Sequence, residues 1–357
     1  MAPPIYRSET PWENGFQEYD EIIDVRSPGE FAEDHIPGAL NFPVLDNEER
    51  AKVGTIYKQV SPFEARKVGA ALVSKNIAQH LNSAFLDKPK TYHPLIYCWR
   101  GGQRSNSFAH ILSQIGWQTT LVVGGYKTYR AHVRRSLEEL PEKYQFKILC
   151  GYTGSAKTYL LQHMREADLQ VLDLEAIANH RGSLLGQVWK AAPTPQPSQK
   201  WFESQLFQEL EQFDPAQPIW LESESNAIGK VHIPPMLWQV MRRSPCYEVE
   251  LPTPERVQWL MAEYPHLIEY PDELKRLLKF LIPNLGKQKV HSWFELIDAE
   301  QWPEFVAAIL TEHYDPAYRR SLPSHYSTPQ KAIALPNLEQ ISINTFIKDL
   351  VSASQTN

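Results

Sequence analysis

Three features of the sequence predict two consecutive α/β domains with a helical appendage. Short apolar runs alternate with stretches of helical periodicity along residues 1–135, and the alternation restarts at residue 146. From Pro254 to about His313 the pattern is nearly all helical. Alternation of strand and helix patterns builds a sheet with helices on its faces.

In chain order, EIIDV (21–25), PLIYC (94–98) and TTLVV (119–123) read as buried strands. Residues 63–81 and 105–116 carry apolar side chains at helical spacing, and a further helix is expected from about Tyr126 to Leu140. Pro141 then leads into the strand FKILC (146–150), a glycine-containing turn and the helix KTYLLQHMREA. Further strands are expected at LQVLDL (169–174), PIWLES (218–223) and PCYEVELP (245–252). The predicted division is a first domain at 1–135, a linker at 136–145, a second domain with its helical appendage at 146–322, and a C-terminal extension at 323–357 whose polar end is frayed.

Composition sets limits without choosing a function. Hydrophobic residues make up 42% and charged residues 22%, as in an ordinary globular protein. The opening MAPPIYRSET lacks a basic region followed by an apolar stretch, so no signal peptide is expected. No apolar run approaches the roughly 20 residues that span a bilayer, so no membrane role is expected. Cys98, Cys150 and Cys246 are too few and too scattered for a disulfide framework or zinc site, which points to a reducing cytoplasm, with Cys150 a core residue. The net charge of −6 does not favour a nucleic-acid partner, yet phosphate contacts need only a local basic face.

Chemistry concentrates in two loops. The first is Cys98-Trp99-Arg100-Gly101-Gly102-Gln103-Arg104-Ser105, between a strand and a helix. A cysteine over a helix N-terminus can have backbone N–H groups curled around its sulfur, and Gly101 and Gly102 permit the bend. Arg100 and Arg104 add positive charge, which favours the nucleophilic thiolate. DVRSPGEF (24–31), HIPGALNFP (35–43), this loop and VVGGYKTYR (122–130) occur in the order seen in rhodanese-like domains, which the segment resembles. In that resemblance Asp24, Arg26, His35 and Gly38 are scaffold. Five residues separate Cys98 from Arg104, where many single-domain rhodaneses have four. The wider cradle suits a phosphorus-centred anion such as selenophosphate. Tyr97 stands where rhodanese-fold phosphatases usually have histidine.

The second loop is Gly151-Tyr152-Thr153-Gly154-Ser155-Ala156-Lys157-Thr158, which follows a strand and opens a helix. This is the context of a P-loop: backbone N–H groups of Gly151, Thr153, Gly154, Ser155 and Ala156 would wrap a diphosphate, Lys157 would neutralise it, and Thr158 could hold Mg²⁺. Ala156 replaces the glycine expected before the lysine, and a positive φ there would be strained. Asp173, Glu175, Glu222, Glu224 and Ser225 end candidate strands, where they either face a ligand crevice as metal or ligand groups or are simply solvated.

Both loops, with NFPVLDNEERAKVGTIYK (41–58), DLEAIANHRGSLLG (173–186), QPSQKWFESQL (196–206), LESESNAIGK (221–230) and HYDPAYRRS (313–321), closely resemble one family, the tRNA 2-selenouridine synthases. The resemblance runs to about residue 322. It implies an N-terminal rhodanese-like domain, a P-loop NTPase-like domain and two-step chemistry on tRNA with a 2-thiouridine wobble base. Geranyl diphosphate would alkylate the 2-thio sulfur, and selenophosphate, supplied by another enzyme, would then replace the S-geranyl group. Cys98, Arg104 and Lys157 become the catalytic candidates, with Cys98 either carrying selenium or activating selenophosphate. No tightly bound cofactor is expected, and the oligomeric state is left open.

Lys127, Arg130 and Arg134 recur at helical spacing, with Arg135 beside them, and are candidate tRNA phosphate contacts or a solvated face. His180, Arg181, Gly182 and Ser183 form a polar turn suited to diphosphate or tRNA, and Gln199 and Lys200 could close over a ligand; for each, a plain surface loop is the other reading. Some of the tryptophans after residue 180 could line the geranyl slot or stack bases, with most of them in the core. Two other functions remain open: a sulfurtransferase joined to an ATP-dependent kinase, and a non-catalytic nucleotide sensor with a docking domain.

Overall fold

The computed structural model describes residues 3–13, 15–180, 195–326 and 329–355. It divides into two units, one of residues up to Leu137 with Pro197–Gln208, the other of the remainder.

In the first unit, strands β1 (Ile5–Ser8), β2 (Glu21–Asp24), β3 (Leu40–Asn41), β4 (Pro94–Tyr97) and β5 (Thr119–Val122) form a sheet in the order β1-β5-β4-β2-β3. All its pairings are parallel. The central β4 and β5 are buried along their whole length, which is why they read as unbroken apolar runs rather than alternating ones. Helices α1 (Pro28–Glu33), α2 (Asn47–Gln59), α3 (Pro62–His80), α4 (Gln103–Ile115) and α5 (Tyr126–Glu139) cover it. Their ends follow local chemistry. Asp46 and Glu49 close a capping box on α2, Ser61 caps α3 ahead of Pro62, and Gly116 ends α4 in the left-handed region. Ile23, Ile96, Phe108, Leu112 and Leu121 centre the core.

The second unit contains β6 (Phe146–Cys150), α6 (Lys157–Glu166), β7 (Gln170–Val171), α7 (Leu174–Ala178), the end of α8 (Gln199–Gln212), β8 (Ile219–Glu222), the hairpin β9 (Ala227–Ile228) and β10 (Val231–His232), α9 (Pro235–Arg243) and β11 (Cys246–Glu250). A helical array follows: α10 (Thr253–Glu263), α11 (Pro265–Glu269), α12 (Pro271–Leu278), α13 (Ile282–Leu285), α14 (Lys287–Asp298), α15 (Trp302–Ile309) and α16 (Asp315–His325). Leu274, Leu278, Val290, Trp293, Phe305 and Ile309 form this array's own core. The chain then returns to the sheet with β12 (Lys331–Ala334) and α17 (Gln340–Gln355). The all-parallel order is β12-β11-β6-β8-β7, so β6 is central and the loop after it opens at the carboxyl edge of the sheet.

Four expectations are corrected. Residues 197–208 belong to the first unit rather than to the second. The region 323–357 is not an appended extension, because β12 pairs with β11 and Ile343, Phe346 and Leu350 of α17 join the sheet's core. Its end is not frayed up to Gln355, since α17 runs that far. Finally, Cys150 and Cys246 form a disulfide with Cα atoms 6.2 Å apart; adjacent strands bring together residues separated by 96 positions. Sequence distance hid what strand order decides. Among the described residues no helix is long and apolar enough to cross a membrane.

Candidate active sites on two parallel sheets

In the first unit Cys98 follows β4 directly and is 3% exposed. Gly102 N–H and Ser105 Oγ each donate to its sulfur at 3.2 Å, so two donors are placed to hold negative charge there. Asn106 Nδ2 ties down the carbonyls of Gly101 and Gly102 at 3.1 and 2.8 Å. Behind the loop, Tyr126 N–H donates to Cys98 O at 2.8 Å and Lys127 N–H to Trp99 O at 3.1 Å. This bracing depends on Gly125, with φ +62°, where a Cβ would lie 2.2 Å from Cys98 O. The GGYK segment therefore serves the cysteine loop from outside it.

Arg104 reaches back to Glu30 of α1, at 2.7 and 3.4 Å. Burial raises the Glu30 pKa, but the hydrogen bond and charge of Arg104 outweigh it and the net shift is downward. A substrate anion would have to compete with Glu30 for this guanidinium. Trp99, half-buried, packs beside Tyr126 with ring centres 5.2 Å apart, while Arg100, Gly102 and Gln103 are exposed. The scaffold residues act as the sequence implies. Arg26 forks onto Asp24, donates to Asp34 O at 2.6 Å and lies 4.0 Å from the Tyr126 ring centre. His35 stacks between Phe31 and Trp201 and Gly38 has φ +80°. Tyr97 Oη accepts from Ile36 N–H at 3.1 Å, a structural use of the position.

Of the basic residues on α5, Lys127, Arg134 and Arg135 are exposed, but Arg130 is paired with Glu203 and shielded from solvent. Lys200 pairs with Glu33 at 2.6 Å and Gln199 donates to Glu203 at 2.8 Å, so α8 is fastened to the first unit's own residues.

In the second unit the loop 151–158 bends between β6 and α6, with Gly151, Gly154 and Ala156 all at positive φ. Ala156 sits at φ 56°, ψ 31°, the strained conformation anticipated for it, as the residue before α6. Lys157 Nζ lies 3.1 Å from Gly151 O, folded over the loop. Ser155 Oγ is buried without a partner.

The loop forms one wall of a cleft whose opposite wall is acidic. Glu175, Glu222 and Glu224 bring one carboxylate oxygen each within 4.8 Å of one another. Thr158 Oγ1 lies 3.3 Å from Glu175 Oε2, and Glu222 Oε1 is buried with no hydrogen-bond partner. Burial, then the Glu222 and Glu224 charges, push the Glu175 pKa up to about 9 against the pull of Lys157. Burial followed by Glu222 raises Glu224 to about 7, and burial also raises Glu222. These groups are pressed together, and the positive charge of Lys157 only partly offsets their burial and mutual repulsion. Asp173 and Ser225 differ from them. Asp173 Oδ1 caps α7 by accepting from Ala176 N–H at 2.9 Å, and Ser225 Oγ donates to Ala227 O at 2.6 Å. His180 lines the cleft; Arg181, Gly182 and Ser183 lie outside the described residues.

Residues with no role assigned from sequence hold this loop in place. Gly151 N–H donates to Tyr318 Oη at 2.7 Å. Arg256 Nε donates to Thr153 O at 2.9 Å, while its two terminal nitrogens fork onto Asp315 at 2.6 and 3.1 Å. Arg256 and Arg319 both lie over the Tyr152 ring. The signal for Asp315, Tyr318 and Arg319 was the HYDPAYRRS segment itself; Arg256 carried none.

A strand–cysteine–helix cradle on one parallel sheet and a strand–phosphate-loop–helix on another define the class: a rhodanese-like domain joined to a P-loop-type domain. Residues 12–132 match the rhodanese-like domain family, and residues 144–331 match the tRNA 2-selenouridine synthase AAA domain. The tRNA 2-selenouridine synthase of Sulfurovum sp. is 32% identical over 326 residues, covering 83% of this chain and 87% of that protein. That of Nitrosomonas europaea is 38% identical over 248 residues, 68% of this chain and 63% of that protein. The chain belongs to the tRNA 2-selenouridine synthase family.

Proposed function

We propose that this chain modifies the wobble base of thiolated tRNA, first alkylating its sulfur with geranyl diphosphate and then exchanging the S-geranyl group for selenium. The observation that carries the reading is the phosphate loop built over an acidic cleft, in a family named for a tRNA modification. In the first step the 2-thio sulfur attacks C1 of the geranyl chain, the C1–O bond breaks, and its electron pair leaves on diphosphate. The loop N–H groups and Lys157 stabilise that developing charge. Alkylation makes the sulfur a good leaving group. In the second step selenium from selenophosphate adds to C2 of the base, geranylthiolate departs, and hydrolysis of the P–Se bond releases phosphate. The Cys98 loop, with its sulfur held by Gly102 and Ser105, serves this step by holding and activating selenophosphate, so that selenium keeps its oxidation state throughout.

The oxygen donors Thr158, Glu175, Glu222 and Glu224 fit a hard divalent cation such as Mg²⁺, and the unpartnered Glu222 Oε1 supports that assignment. Such an ion, when bound, would supply charge to a diphosphate. Lys127, Arg134 and Arg135 offer exposed positive charge to the tRNA backbone.

The test is mass spectrometry of nucleosides from thiolated tRNA incubated with the protein, geranyl diphosphate and selenophosphate. Cys98→Ser should accumulate geranylated thiouridine, and Lys157→Ala should leave 2-thiouridine unchanged. Unmodified 2-thiouridine with the folded parent protein would overturn the reading.

A further inference from the structure

We propose that a narrow apolar slot beside the phosphate loop holds the isoprenoid chain of the diphosphate substrate, an assignment that rests on the prenyl-transfer reading above. The slot is lined by Leu260 and Met261 of α10, Ile268 of α11, Leu274 of α12, and Phe305 and Val306 of α15. Its polar groups belong to Thr153, Tyr264, Tyr314 and the Trp302 indole. Thr153, Leu260 and Tyr264 also line the phosphate cleft, so the two spaces share an edge.

That edge is fixed by close packing. A Cβ on Gly154 would lie 2.8 Å from Leu260 Cδ1, so α10 touches the loop where glycine leaves room. Arg256, one turn earlier on α10, is hydrogen-bonded to Thr153 O. Leu274 and Phe305 line the slot but not the cleft, and are 0% and 3% exposed. An anion on the loop would thus leave its substituent facing the slot mouth at Thr153, with apolar surface beyond.

The lining discriminates between kinds of diphosphate. A ribose and base require several fixed polar partners, and this slot offers a threonine, two tyrosines and the Trp302 indole among an otherwise apolar lining. Its volume is about 60 Å³, room for about four waters at most. Apolar cavities of this kind stay dry, and a branched hydrocarbon chain is what their surface rewards. Entry of ten carbons requires side chains to yield. Met261, unbranched and with three rotatable bonds, is the adaptable member of the wall.

The experiment compares binding of inorganic diphosphate, dimethylallyl, geranyl and farnesyl diphosphates to the full chain by calorimetry. Geranyl diphosphate should bind at least about tenfold more tightly than dimethylallyl diphosphate, since each buried methylene contributes several-fold. Val306→Phe, which fills the slot, should abolish that advantage while keeping the affinity for inorganic diphosphate. Ile268→Ala, which widens it, should shift preference several-fold toward farnesyl diphosphate. Equal affinity for the two shorter chains in the parent overturns the slot, as does an unchanged chain preference in a folded Val306→Phe protein. If Val306→Phe does not fold, an unchanged farnesyl-to-geranyl ratio in Ile268→Ala overturns it instead. Geranylation of thiolated tRNA is scored separately. Transfer with chain preference untouched by both variants rejects the slot and keeps the transfer reading. Chain-dependent binding without transfer keeps the slot and rejects that reading.

Discussion

Replacing Asp315 with alanine removes both carboxylate acceptors of Arg256, a guanidinium whose side chain is only 3% exposed. Its remaining hydrogen bond, to Thr153 O, does not neutralise the charge. Removing one partner of a buried pair costs about 3–5 kcal/mol, because the other charge stays desolvated. Asp315 is itself 16% exposed, so water can enter the vacated space and the low end, about 3 kcal/mol, is expected. For a unit of this size that corresponds to a Tm lower by about 6–12 °C. The damage should also be local to the phosphate loop, since Arg256 joins Asp315 to Thr153 and covers Tyr152. Thermal unfolding of Asp315→Ala, Arg256→Met and the double variant tests this as a cycle. The double variant should be more stable than Asp315→Ala alone by about 1 kcal/mol or more, because it no longer buries an unpaired charge. Additive losses, or an Asp315→Ala loss under about 1 kcal/mol, would show that the bridge does not hold the loop.

Ser105→Ala removes one of two donors to the Cys98 sulfur and should slow alkylation of Cys98 by iodoacetamide several-fold without changing Tm much; an unchanged rate would mean that Gly102 N–H alone sets reactivity. Gly125→Ala forces a Cβ toward Cys98 O at a positive φ and should cost about 2–4 kcal/mol, read by urea unfolding, and abolish selenium incorporation. The acidic cluster sets a pH signature. The Glu175 pKa stands at about 9 in the fold against an ordinary 4.5, so its contribution to stability is full below about 4.5 and is lost as pH rises toward 9. Mg²⁺ needs the ionised form, so its binding should release protons and tighten with rising pH. Calorimetry in two buffers of different ionisation enthalpy checks this, and proton release that is undiminished in Glu175→Gln would rule the cluster out.

The sequence made legible those features that local rules decide. FKILC appears as β6 without a residue's shift, and the helix expected at 105–116 begins two residues earlier as α4, at Gln103, because the glycine bend ends there. LQVLDL fared worse: only Gln170–Val171 is strand, since Asp173 caps a helix. Cooperation between distant segments left no local trace. Glu30 takes Arg104 from 74 residues away, Tyr318 reaches Gly151 across 167, and β12 returns to the sheet after the whole helical array. Arg130 illustrates the same limit in reverse. Its helical spacing made it a tRNA candidate, but the pairing with Glu203 depends on where α8 docks.

Ala156 shows how far a motif's failure should count. The sequence lacked the glycine a strict P-loop has before its lysine, and the structure places alanine in the left-handed conformation all the same. That conformation costs a non-glycine residue about 1–2 kcal/mol. Glycine would avoid the cost, yet it would add about 0.4–1 kcal/mol of unfolded-chain entropy to be lost on folding. It would also forfeit a buried methyl worth about 0.8 kcal/mol, Ala156 being 5% exposed. The terms cancel to within about 1 kcal/mol. Alanine is therefore compatible with the loop's bend because other contributions offset its strain, and the positive φ values at Gly151 and Gly154 supply the rest of the turn. The surrounding order of strand, loop and helix carries more information about anion binding than the single consensus glycine does.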